Sequence, residues 1–444
     1  MEPSFVEEVR LTSFKSFQDA RLPLTDLTLL VGRNGGGKSN ALDGLWVLSR
    51  LALGEDIRDT LDGGRDGPAV RGGVDGCAPF GSRSFTLGCT VRTGSEVTGL
   101  EVTVQTEPVV QITHERLWTL RRRRSAGEEE RDLLLAGPAR EGSGDIVARL
   151  ASRRRGALPI TFRTSRLLTS QVAARVPSTS VAGRLVHQGA NRMLAALRSV
   201  FVLDPVPHQM RQYVPRRDTL LRRSADNLSA AVAVLLATPT THEQLRQALE
   251  SLNEQDIVEL TTSTSDLDDM MLTLIERWQN RRHQVPARLM SDGSLRFLAI
   301  LVALLQAPPV DTTSDTSATQ EAVGQTTLVI EELENGLHPS QADTLISFIR
   351  DQVRTRRIRV IATAHSPALL DALTGREHSG VLVCQRQPDG LSTINRLVDL
   401  PTYLDIVAKG GLGRAAANDR LRATDVRKRS AAAALDQILG GTRK

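Results

Sequence analysis

Apolar positions along this chain recur with two different periods. Near the N-terminus they alternate with polar ones, in Phe5-Val6-Glu7-Glu8-Val9-Arg10-Leu11 and Ala20-Arg21-Leu22-Pro23-Leu24. This predicts two strands flanking Phe14-Lys15-Ser16-Phe17. The continuous run Leu27-Thr28-Leu29-Leu30-Val31 predicts a buried strand, and apolar spacing over residues 40–51 predicts a helix. Residues 54–82 are rich in Gly and Asp and read as loop. Alternation returns over residues 83–118, an antiparallel strand group with Gly-bearing turns. The highly charged residues 119–155 predict a projecting hairpin or loop.

Residues 165–290 read as mainly helical, with apolar positions at helical spacing in 228–236, 243–252 and 266–278. A further apolar helix spans 295–305. Residues 307–326 are poor in apolar side chains and read as a disordered surface loop. Strand–helix alternation resumes at Thr327 and runs past Leu373. Residues 420–439 read as a basic helix.

Composition narrows the class. The chain has 444 residues, enough for two or three domains, and is 40% hydrophobic and 24% charged, as soluble globular proteins are. No apolar run approaches the roughly 18 residues of a membrane span. Met1-Glu2-Pro3-Ser4 opens no signal-peptide pattern. Cys77, Cys89 and Cys384 lack metal-ligand spacing and read as reduced core thiols of a cytoplasmic protein. Net charge is +5, and arginines cluster at 121–124, 153–155, 216–217, 222–223 and 354–359. Such clusters suit nucleic-acid phosphates and ordinary solvated faces alike. With aromatics at 3%, little is available for base stacking.

The chemistry concentrates in four short segments. Gly32-Arg33-Asn34-Gly35-Gly36-Gly37-Lys38-Ser39 is a complete G-x-x-x-x-G-K-[ST] phosphate loop between a predicted strand and a predicted helix. Its glycines let the backbone fold around phosphates. Lys38 is placed to reach the β- and γ-phosphates and Ser39 to hold Mg²⁺, with Asn40 following. Thr327-Leu328-Val329-Ile330-Glu331-Glu332 is a strand ending in two carboxylates. One suits the Mg²⁺ shell (Glu331) and one the attacking water (Glu332). Ser291-Asp292-Gly293-Ser294 precedes an apolar helix and resembles an N-cap at an anion site. Val360-Ile361-Ala362-Thr363-Ala364 ends in His365 at the edge of a strand, where ligands bind in open α/β sheets. Each of the last three alone fits an ordinary strand end, helix cap or structural histidine. Their order along the chain carries the weight.

In that order the chain resembles the ABC-type ATPases, and more closely the SMC/RecF/OLD-like branch of AAA-like ATPases. Phe14-Lys15-Ser16-Phe17 is similar to that branch's N-terminal motif, and Met290-Ser291-Asp292-Gly293-Ser294 to its signature. Residues 330–339 are similar to its Walker B and D-loop, and residues 363–370 to its His switch. The resemblance implies an α/β P-loop head with a mixed sheet flanked by helices, an antiparallel β subdomain and a mainly helical insertion. Residues 1–118 and 286–400 would be the two parts of the head, 119–285 an arm or lid, and 401–444 a basic tail.

The resemblance further implies ATP and Mg²⁺ as cofactors and a homodimer or higher oligomer that sandwiches two ATP molecules. Gly32 to Asn40 of one copy and Ser291, Asp292 and Gly293 of another would bind each ATP. Ser39 and Glu331 would hold the metal, Glu332 would orient water, and His365 would contact the γ-phosphate. Glu331 stands where most ABC proteins carry Asp. Gln171 is the candidate for the glutamine-bearing loop. No long heptad run and no acidic nuclease cluster follow, so the resemblance implies an ATPase serving a separate effector, in antiviral defence or DNA maintenance. The alternatives are a RecF-like DNA clamp and a transporter's nucleotide-binding subunit.

Overall fold

The structure is a computed structural model that describes residues 2–64, 68–123, 127–150, 159–250, 257–306, 323–408, 411–418 and 420–421. Strands β1 (Ser4–Phe14) and β2 (Phe17–Pro23) form a hairpin, and β3 (Leu27–Val31) leads into α1 (Lys38–Ala52) and α2 (Ile57–Asp62). Six strands follow: β4 (Ser84–Thr93), β5 (Glu96–Gln105), β6 (Gln111–Arg123), β7 (Gly127–Ala136), β8 (Asp145–Leu150) and β9 (Ile160–Arg163). Helices α3 (Leu168–Arg175) and α4 (Val181–Arg198) precede β10 (Val200–Leu203), α5 (Pro207–Met210) and β11 (Val214–Pro215). Then come α6 (Leu228–Leu236), α7 (Pro239–Glu250), β12 (Ile257–Thr264), β13 (Asp269–Trp278), β14 (Arg281–Pro286) and α8 (Asp292–Gln306). The final part alternates: β15 (Thr327–Ile330), α9 (Ala342–Arg356), β16 (Arg359–Ala364), α10 (Pro367–Asp371), β17 (Val381–Arg386), β18 (Ser392–Arg396), α11 (Tyr403–Ala408) and α12 (Leu412–Ala417).

Two large sheets hold most of the strands. The first has the order β2-β1-β4-β5-β6-β7-β8-β9, and its pairings are all antiparallel. It carries the strand group expected for 83–118 onward through the charged stretch, where the register sets Arg121 opposite Glu129 and Arg122 opposite Glu128. Arg116 on β6 reaches Asp132 on β7 at 2.6 Å, an opposite-charge pair that favours this pairing. The second sheet has the order β10-β15-β16-β3-β17-β18 and is parallel except at β18.

Alternate residues of the parallel strands enter different cores. Leu29, Val31, Leu328, Ile330, Val360 and Ala362 join a cluster with α6, α8 and α9. Leu30, Val329, Ile361 and Leu382 join the cluster formed with α1, α4 and the antiparallel sheet. A sheet buried on both faces explains why these strands read as unbroken apolar runs.

The helical reading of residues 165–290 holds for α3, α4, α6 and α7 and fails from β12 to β14, including the helix expected over 266–278. That segment is β13, paired with β11, β12 and β14. Its residues 270–274 are all buried. An apolar run buried on both faces satisfies a helical template as readily as a strand. The local sign was Gln279-Asn280, whose φ values of 50° and 59° close the β13–β14 hairpin. The loop read for 54–82 contains α2, whose cap Asp56 accepts the N–H of Arg58 at 3.0 Å. Residues 307–322 and 422–444 lie outside the described residues. The three cysteines are free and buried, and burial pushes each thiol up to about 12.

One buried carboxylate joins the antiparallel sheet to α3. Glu115 on β6 accepts the N–H groups of Leu168 and Thr169 and the Thr169 hydroxyl, each at 2.6 Å. Burial outweighs these three donors and pushes its carboxyl up to about 7. An acid whose folded-state pKa is raised favours the fold at low pH, and that contribution is lost as pH rises through about 7. The expected outcome is a thermal midpoint that falls between the ordinary glutamate value of 4.5 and about pH 7, a slope that Glu115→Gln removes. Equal slopes in both proteins would refute this role.

Candidate nucleotide site

Three strand ends define the site. The register sets Ile330 opposite Ala362 and Ala364 opposite Val31, so Glu331-Glu332, His365 and Gly32 follow on the same edge. Gly32 has φ 140°, and a Cβ there would stand 2.2 Å from the Cys384 carbonyl oxygen on neighbouring β17. Only glycine lets the loop seat against that strand.

Lys38 opens α1 and is buried. Its ammonium donates to the carbonyls of Gly32 at 2.9 Å and Arg33 at 3.0 Å, inside the loop it would share with phosphate. Burial lowers its pKa from the ordinary lysine value, while Cys384, Glu334 and Glu332 act in the opposite direction. Arg33, Asn34 and Gly36 line a cavity of about 550 Å³ together with His365 and Gln385. Asn40 turns instead to the 14–17 segment, its amide donating to Ser16 Oγ at 3.0 Å.

Ser39 Oγ donates to Glu331 Oε2 at 3.2 Å. Two adjacent hard oxygen donors fit Mg²⁺, which prefers oxygen and keeps much of its water. Glu332 takes a left-handed conformation, φ 53°, which costs a non-glycine residue ~1–2 kcal/mol. Its N–H donates to Thr363 Oγ1 at 2.7 Å, and Asn335 Nδ2 donates to its Oε2 at 3.0 Å. The N–H of His365 donates to Glu334. His365 is exposed at the strand end, and partial burial of its ring, then the Lys38 ammonium, hold it below the usual histidine value. Both effects favour the neutral imidazole, which can hydrogen-bond a phosphate oxygen without adding charge.

Ser291 is the N-cap of α8: its Oγ accepts the Ser294 N–H at 3.0 Å and lies 2.8 Å from the Ser294 hydroxyl. Asp292 accepts from Arg211 at 2.7 Å, and the same guanidinium nitrogen donates to the Met290 carbonyl at 2.7 Å. Ser291 and Asp292 are exposed. A Cβ on Gly293 would fall 2.0 Å from the carbonyl oxygen of Gly336, in the turn after Glu332. Thus the Ser291 cap rests on the turn that follows Glu332.

Residues 27–371 match the family described as "AAA domain, putative AbiEii toxin, Type IV TA system". The chain belongs to this AAA-domain ATPase family. No curated protein matches it. Among solved structures it is similar to the SMC head domain from Thermotoga maritima, at 13% identity and TM-score 0.39, over 88% of this chain and 98% of that one. An Smc head bound to the C-winged helix domain of ScpA aligns at 12% identity and TM-score 0.44, over 88% and 97%. An Smc head with an extended coiled coil, bound to a ScpA domain derived from Pyrococcus furiosus, aligns at 10% identity and TM-score 0.42, over 91% and 100%. Likenesses this distant add nothing to the argument.

Two side chains of this AAA-domain ATPase escape motif reading. Asp43, one turn after Ser39 on α1, is buried, and Arg71 bridges it to Glu331. The helical spacing of Ser39 and Asp43 was the available sign for the first; nothing marked the second within its glycine-rich loop. Gln171 is engaged elsewhere. Its amide exchanges hydrogen bonds with the Arg163 backbone at 2.9 and 3.0 Å and donates to the Arg166 carbonyl at 3.0 Å, pinning the β9–α3 loop.

The Gly293–Gly336 seat yields a direct expectation. Gly293→Ala overpacks backbone against backbone and should cost ~1–3 kcal/mol, read as a lowered thermal midpoint. Gly336→Ala should cost more, since φ is 84° there as well. An unchanged midpoint in both variants would contradict the contact.

Proposed function

We propose that this chain is an ATP-hydrolysing switch that dimerises on ATP and acts on a separate effector. One observation carries the reading: the phosphate loop, the acidic pair and His365 gather on one sheet edge, while the Ser291 cap is exposed. An exposed helix N-terminus complements the anionic γ-phosphate of a second copy. In each site Lys38 and the loop amides would bind phosphate, and Ser39 and Glu331 would hold Mg²⁺, which would supply charge neutralisation on the phosphates. Glu332 accepts a proton from the attacking water while Asn335 orients its carboxylate. His365 steadies the γ-phosphate by a hydrogen bond. The Gly293–Gly336 contact ties the signature offered to one site to the acidic turn of the other.

The family's description names a toxin of a type IV toxin–antitoxin system, which supports a role in defence over one in transport. No helix among the described residues is long and apolar enough to cross a membrane. The RecF-like clamp draws on the arginine clusters, and the structure engages several of them internally. Arg222 pairs with Asp218 and Asp226, Arg354 pairs with Asp351, Arg223 lies over Trp46, and Arg359 is buried over Phe5. The switch is therefore the better-supported reading.

Glu332→Gln should slow hydrolysis by about 10²–10⁴-fold, the usual contribution of a general base. It should also accumulate an ATP-bound dimer, visible by light scattering. Lys38→Ala should abolish ATP binding and dimerisation together. Parental turnover in the Glu332→Gln protein, or a monomer mass at saturating ATP, would overturn the reading.

A further inference from the structure

Arg71 lies in a turn that is anchored on both sides. The Val70 N–H donates to the Leu61 carbonyl at 2.9 Å, the Val74 N–H to Asp62 at 2.9 Å, and the Cys77 N–H to the Val74 carbonyl at 3.1 Å. Val70, Val74 and Cys77 are buried, and Lys15 Nζ donates to the Arg71 carbonyl at 2.7 Å. The backbone is thus held against the core, while the side chain, 48% exposed, reaches across to the acidic strand end.

The guanidinium forms a fork on Glu331, with Nη1 2.8 Å from Oε2 and Nη2 3.0 Å from Oε1. Nη2 also donates to the Ser39 carbonyl at 3.1 Å and to Asp43 Oδ1 at 2.7 Å, and Nε donates to Asp43 Oδ2 at 3.2 Å. Both oxygens of Glu331 are therefore engaged by a cation, and Oε2 also accepts from Ser39 Oγ. These are the oxygens that fit Mg²⁺. A guanidinium and a metal ion cannot hold the same carboxylate face at once.

Asp43 gives the arginine a second place to rest. It is buried and also bound by Lys15 Nζ at 2.6 Å, so its charge is fixed whether or not Arg71 reaches Glu331. Glutamate rather than aspartate at 331 supplies the extra methylene that brings the carboxylate out to the arginine.

We propose that Arg71 is a built-in competitor of Mg²⁺: guanidinium and metal are alternative partners of Glu331, and loading the metal requires Arg71 to fall back on Asp43. This rests on the reading of Ser39 and Glu331 as the metal-holding pair. A competing internal partner reduces apparent affinity by the fraction of molecules in which the site is free. The arginine thereby sets the Mg²⁺ concentration at which the switch accepts nucleotide.

The test is a Mg²⁺ titration of the full chain at fixed concentration of a fluorescent, non-hydrolysable ATP analogue, read as bound fluorescence. Arg71→Ala should move the Mg²⁺ midpoint about three- to tenfold lower, as removal of a half-exposed ion pair would. Arg71→Lys, which keeps a cation but loses the fork, should fall between the two. Thermal melts check that each variant is folded. Should the alanine protein fail to fold, the lysine midpoint decides, and it must lie below the parental one. Midpoints at or above the parental value overturn the proposal and make Arg71 a support for the site. A parental protein that binds the analogue equally well in excess chelator overturns the metal reading as well.

Discussion

Everything in the site depends on parallel pairing in register at one edge of a sheet. β3 lies between β16 and β17, and β15 lies on the far side of β16. Because all four run the same way, their C-terminal ends share an edge. The phosphate loop, the acidic pair and the histidine are then neighbours even though more than 290 residues separate Ser39 from Glu331. No local propensity could bring them together. The driving force is burial of both sheet faces, with alternate side chains feeding two separate cores.

The charges at that edge form one connected system. Lys15 and Arg71 meet on Asp43, Arg71 continues to Glu331, and Glu331 meets Ser39. The 14–17 turn, α1, the glycine-rich loop and the acidic strand end are therefore electrostatically linked. Beside this network, Thr363 holds the Glu332 turn from β16, through its hydroxyl at 2.7 Å and its carbonyl to Leu333 N–H at 3.0 Å. The strained backbone of Glu332 persists because its surroundings fix it from both sides.

Much of this was legible in the amino-acid sequence, for identifiable reasons. The phosphate loop, acidic pair and His365 each follow an apolar run that could only be a buried strand, so motif and element supported each other. The 83–118 alternation mapped onto β4, β5 and β6 because one period signalled one partly covered sheet. Residues 266–278 misled because a strand buried on both faces has no period. Arg71 was illegible for another reason: its partners lie 28 and 260 positions away in the chain, and only the folded sheet brings them within reach. Gln171 shows the converse, a plausible residue type whose hydrogen bonds go to its own loop.

The central claim is that a working site takes its phosphate loop from one chain and its signature from another. The most direct measurement mixes two chains that are each inactive alone, one carrying Lys38→Ala and the other Ser291→Arg, and follows ATP hydrolysis. If the sites are composite, the mixed dimer contains one intact pairing of Lys38 with Ser291, and activity reappears on mixing. If each chain holds a complete site of its own, the mixture stays as inactive as its components, and the account of a shared site is wrong.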